Sequence, residues 1–87
     1  MAIKFTQSAG KHGFTEEEAK YAITYAVYEE EEFDEPRPPS SIRPTLFIGP
    51  CRLGGPLIEV MVEEGRRDVV IFHVMVARQK HLDRMND

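Results

Sequence analysis

The chain is poor in the residues that would tie it to a membrane, a disulfide framework or a cysteine-bound metal. Cys51 is its single cysteine, so no disulfide can close within the chain and no cysteine-based metal site is suggested. No apolar run approaches the roughly 18–20 residues that a membrane span requires. The N-terminal MAIKFTQSAGKHG lacks the apolar stretch of a secretory signal. These absences point to a reducing compartment, the cytoplasm. Positive charge is also short: 11 Lys and Arg against 15 Asp and Glu leave a net −4, which argues against non-specific nucleic-acid binding by the whole surface. Glycine patterns for phosphate loops or dinucleotides are missing, because CRLGGP has neither the spacing nor the following helix. The three histidines lack zinc-ligand spacing, and Ser8, Ser40 and Ser41 have no nucleophile context. No metal and no cofactor is therefore expected.

What is present suits one small globular domain over residues 1–87. Its 41% hydrophobic and 30% charged content is that of a folded chain rather than a disordered one. A chain this short buries roughly 60–65% of its unfolded surface, so one compact core is feasible. Charge is unevenly spread: residues 1–35 balance at −6 and residues 36–87 at +2. The acidic total hides a mildly basic C-terminal half.

Thr15 followed three residues later by Glu18 forms a capping box. Behind it Ala19, Ala22, Ile23, Ala26 and Val27 recur at helical spacing, so a helix is expected over 16–26. Gly10 and Gly13 bracket Lys11 and His12 and leave room for only a short turn before it. Residues 28–41, YEEEEFDEPRPPSS, are too acidic and proline-rich for a core element. An edge strand over 28–34 anchored inward by Phe33, then a stiff loop, fits them. Three further runs are β-prone: 45–48, 57–63 (LIEVMVE) and 68–76 (DVVIFHVMV). The last two are joined by a glycine-containing hairpin loop that carries Arg66 and Arg67. From Ala77 the spacing becomes helical again. The expected fold is α+β: an N-terminal helix packed on a three- or four-stranded antiparallel sheet, followed by a C-terminal helix.

The stretch HVMVARQKHLDR, 73–84, collects two histidines, two arginines and a lysine against one aspartate. Period-two alternation groups His73 with Val69, Ile71 and Met75, and leaves Val70, Phe72, Val74 and Val76 as the face that packs on the helix. His73 then stands on the more open face as a group able to titrate near neutral pH. Arg78 sits at the strand-to-helix junction, and it shares a helix side with His81. Lys80 and Arg84 are neighbours at i, i+4 and read as helix-surface charges. His12, beside Lys11 just before a helix start, could meet an anion, although the glutamates that follow oppose it. A cluster of imidazoles and cations suits metal-free RNA cleavage. In that reaction a base takes the 2′-hydroxyl proton, cations stabilise the phosphorane and an acid protonates the leaving 5′-oxygen.

Three segments in order carry a resemblance. KHGFTEEEA (11–19), RPTLFIGPCRLGGPLIEVMV (43–62) and HVMVARQKHLDRM (73–85) are similar to the "KHGV-S-FEEA" opening, the "R…TLG…GRLLVVV" hairpin and the "RIISAR" strand-to-helix junction of BrnT-like toxins. These belong to the RelE/ParE-like group of bacterial type II toxin–antitoxin systems. The family's opening "W-D-x-x-K" has no counterpart in Ile3-Lys4-Phe5-Thr6-Gln7. The resemblance implies a metal-independent endoribonuclease of mRNA, neutralised by a cognate antitoxin that covers its site. Lys11, Arg43, Arg78 and His73 stand at matching positions, His73 where the family usually has arginine. The expected catalytic group is thus Arg78, His73, Lys11 and His81, with Arg43, Lys80 and His12 binding RNA. Homo-oligomerisation stays open. The alternative is a non-catalytic interaction module that binds a basic partner through the acidic segment 29–35.

Overall fold

A computed structural model describes residues 2–86. Nine elements follow one another: β1 (Ala2–Phe5), α1 (Gln7–Gly10), α2 (Glu16–Thr24), β2 (Tyr28–Glu30), β3 (Thr45–Pro50), β4 (Leu57–Glu64), β5 (Asp68–Val76), α3 (Gln79–Leu82) and a closing 3-10 turn (Asp83–Asn86). The strands form one sheet in the order β1-β5-β4-β3-β2. The fold is α+β, as expected, but two features correct the expectation. A strand, not a helix, comes first. It pairs in parallel with β5, Ala2 opposite Asp68 and Phe5 opposite Ile71, so the five-stranded sheet is mixed. The reason is non-local: Ala2–Phe5 is too short to declare itself, and it becomes a strand because β5 offers it an open edge.

Helix α2 begins where the capping box places it. The Thr15 hydroxyl accepts from the Glu18 backbone N–H at 3.1 Å, and the Glu18 carboxylate accepts from the Thr15 N–H at 2.9 Å. The buried face of α2 is made of Ala19 and Ala22, both 0% exposed. Such small side chains let the helix lie close to the sheet. At Gly49 on β3 a Cβ would stand 2.3 Å from the Ala22 carbonyl oxygen, so only glycine fits there.

The sheet has an apolar core on each face. Phe47, Ile58, Val60, Val62, Ile71 and Val74 pack toward the helices with Ala9, Ala19 and Ala22. Leu46, Ile48, Met61 and Phe72 pack on the other face, covered by Phe33, Tyr28 and Leu82. Each fully buried leucine or isoleucine contributes about 1.5–3 kcal/mol. The acidic stretch does form an edge strand, shorter than expected and confined to Tyr28–Glu30. Glu32 then adopts φ 51° and turns the chain, which carries Phe33 inward as the anchor of the loop over this second face.

The expected faces of β5 need a second correction. Met61 pairs with His73 and Val62 with Ile71, so Phe72 is one extra residue: a β-bulge. Alternation restarts there. Val69, Ile71 and Val74 therefore face the helices, whereas Phe72, His73 and Met75 share the opposite face. His73 does lie away from α2, but beside different neighbours from those that strict alternation assigned.

Candidate functional site

The site is organised by a residue of the central strand. Glu59 pairs with Ile48 on β3 and Met75 on β5, and its side chain, 0% exposed, enters the face opposite α2. A carboxylate survives such burial only when paired and fully hydrogen-bonded. Here five N–H groups converge on it. Oε2 accepts from His73 Nε2 at 2.8 Å, Arg78 Nη2 at 2.7 Å and Arg78 Nε at 3.0 Å. Oε1 accepts from His81 Nδ1 at 2.8 Å and from the Arg78 backbone N–H at 2.9 Å. Burial by itself would raise the Glu59 pKa. The hydrogen bonds from His73, Arg78 and His81 outweigh it and hold the carboxyl well below the usual carboxylate range.

An ionised carboxylate only accepts, so each ring nitrogen facing it must carry a proton. His73 therefore donates through Nε2 and His81 through Nδ1. In the neutral rings this leaves His73 Nδ1 and His81 Nε2 as the basic atoms. Arg78 is half-exposed, with 40% of its side chain open. Its Nη1 makes no hydrogen bond or ion pair among the described residues, which leaves a fixed cation with a free donor edge.

The elements explain the convergence. The bulge at Phe72 puts His73 on the Glu59 face. Arg78 has extended backbone, φ −82° and ψ 152°, as the residue that starts α3. Its own N–H is therefore free for Glu59. The turn of α3 then brings His81 onto the second oxygen. At the sheet margin, Ser8 of α1 donates to the Phe72 carbonyl at 2.9 Å, and the loop that follows carries His12 to His73. Their rings meet edge to face with centroids 6.1 Å apart.

The expected residues are thus partly brought together. His73, Arg78 and His81 share Glu59, His12 touches His73, and Lys11 is the exposed residue before His12. Of the histidines, His12 is exposed and His73 half-buried, but the His81 side chain is only 5% open, so it braces the site from beneath. Phe33 closes over it edge to face at 6.0 Å. Lys80 is exposed on α3, away from the carboxylate. Arg84 does not pair with it but grips Glu30, both of whose oxygens lie 3.0 Å from Nη1. Arg43 stands apart: it precedes β3, whose first residue pairs with Val62, while Glu59 pairs near the far end. Its Nε donates to the Asp34 carbonyl, in a shallow pocket shared with Glu31, Glu32 and Glu64.

Glu59 is the residue that sequence reasoning missed. Its signal was a lone carboxylate inside LIEVMV, a run too apolar to be solvated on either face, which obliges a buried partner. Because both of its oxygens are taken by N–H donors, the cluster is closed to a cation, and no metal-holding group of His, Cys, Asp or Glu occurs among the described residues. None of their helices is long and apolar enough to cross a membrane. Comparison with protein-family models, curated proteins and solved structures gave no match to this chain.

Proposed function

We propose that the chain is a metal-independent endoribonuclease, the toxin component of a type II toxin–antitoxin pair in the RelE/ParE-like, BrnT-like manner. The observation that carries this reading is the meeting of His12, His73 and Arg78 at one rim above the buried Glu59. Two imidazoles about 6 Å apart can both reach oxygens of one phosphate, one as base toward the 2′-hydroxyl and the other as acid toward the leaving 5′-oxygen. Arg78 supplies a cation already aimed by Glu59, so little reorganisation is needed as charge develops on the phosphorane. Lys11 adds positive charge beside His12. Glu59 and His81 are positioning residues, since neither is open to RNA. The ordered resemblance of residues 11–85 to the toxins adds support, and a cognate antitoxin covering the rim is the expected partner.

Induced expression in a bacterial host is expected to arrest growth and shorten cellular mRNA. His12→Ala, which leaves the Glu59 network whole, should relieve the arrest, as should Arg78→Ala. A wild-type chain that leaves growth and RNA unchanged contradicts the proposal. The alternative, a docking module using residues 29–35, draws on Glu29, Glu31 and Glu32, which are exposed and make no ion pair among the described residues. It loses Glu30, which Tyr28 and Arg84 hold.

A further inference from the structure

On the face of the sheet opposite the Glu59 cluster, a groove of about 390 Å³ is lined by Ile3, Ile23, Glu29, Phe47, Val62, Glu64 and Val69. Glu29, Phe47, Val62, Val69 and Ile3 come one from each strand in the spatial order β2-β3-β4-β5-β1, so the groove crosses the whole sheet. It exists because α2 is only nine residues long and covers the half of the sheet around Gly49. Phe47 and Val62 lie at the bottom, only 8% and 1% exposed, and the open apolar surface is that of Ile23 on α2, Val69 on β5 and Ile3, which stays 45% exposed at the β1 end. Two carboxylates stand in this apolar channel, Glu29 and Glu64. Both are exposed and neither makes an ion pair or hydrogen bond among the described residues, although Arg43 lines the adjoining pocket with Glu64.

We propose that this groove seats an amphipathic helix of a partner protein, with apolar side chains against Ile3, Ile23 and Val69 and Lys or Arg against Glu29 and Glu64. Charge selects a basic partner: two unpaired carboxylates beside an apolar floor would repel an acidic helix and gain charge-assisted hydrogen bonds from a basic one. Geometry selects a helix. The strands under the floor already spend their backbone groups on one another, so an added strand has nothing to pair with there, and recognition must run through side chains. Five strands about 4.8 Å apart span roughly 19 Å, the length of about 13 helical residues. The groove is on the other face from the histidine rim, so the proposal stands whether or not the rim cleaves RNA.

The test uses the whole chain and two synthetic 14-residue helical peptides with the same leucine face, one with lysines on the other face and one with glutamates. Binding is followed by two-dimensional NMR of the labelled protein. The lysine peptide should bind, shifting the amide signals of Ile3, Phe47, Val62 and Val69, with at least tenfold preference over the glutamate peptide. Reversing both charges, Glu29→Lys with Glu64→Lys, should invert that preference. Both sites are exposed, so the double variant is expected to keep the wild-type spectrum elsewhere. Binding confined to 31–35, equal binding of both peptides, no binding, or self-association of the chain through this face would each overturn the proposal. RNA cleavage, measured separately, leaves the peptide result unaffected.

Discussion

Replacing Glu59 by glutamine tests the site through stability. The amide is nearly isosteric, so no cavity forms. It removes the charge that five N–H donors share and turns an NH2 group toward some of them. Removing one partner of a buried ionic network costs about 3–5 kcal/mol. Arg78 is 40% exposed and can recover some hydration, and an imidazole can shift its proton to accept from the amide, so about 2–4 kcal/mol is expected. A domain of this size has a total stability of only about 4–13 kcal/mol. At about 4–8 °C per kcal/mol the midpoint should drop by on the order of 10–30 °C. The assay is urea and thermal unfolding followed by circular dichroism, with Glu64→Gln, an exposed and unpaired carboxylate, as the control within about 0.5 kcal/mol of wild type. A Glu59→Gln loss no larger than that of the control would refute the idea that this carboxylate holds the cluster together.

Other outcomes follow from the same structure. Glu59 is held below its unfolded pKa, so the native state binds fewer protons. The stability it contributes is complete above about pH 4.3 and is lost as pH falls from there toward the depressed native value. Wild-type midpoint against pH should therefore fall below about pH 4.5, and Glu59→Gln should flatten that fall; parallel curves would contradict it. Gly49→Ala puts a methyl group 2.3 Å from the Ala22 carbonyl oxygen, so α2 must shift, at a cost of about 1–3 kcal/mol. An unfolding midpoint equal to wild type would show that the helix is not seated against β3 in this way.

The parts of the fold that sequence exposes are those decided locally. The start of α2 follows from Thr15 and Glu18, three residues apart. The β4–β5 hairpin follows from long β-branched runs about a short glycine loop. Phe33 was legible as an anchor because it is the one apolar side chain in an acidic run. What stayed hidden depends on distant partners. Ala2–Phe5 is a strand only because β5 lends it an edge. The bulge at Phe72 leaves no trace in DVVIFHVMV, yet it decides which side chains accompany His73. Arg78 stood out through its place at a strand-to-helix junction, whereas Glu59 did not, because the donors that hold it lie 14 to 22 residues away. Arg43 was expected to bind RNA beside Arg78, but the register puts it toward the other end of β3.

The most direct measurement is end-group analysis of a labelled RNA oligonucleotide incubated with the purified chain in excess EDTA. Cleavage should leave 2′,3′-cyclic phosphate and 5′-hydroxyl ends, and His73→Ala and His12→Ala, checked for folding, should each slow it by about 10²-fold or more. Intact RNA, 5′-phosphate ends, or cleavage indifferent to both histidines would contradict the account.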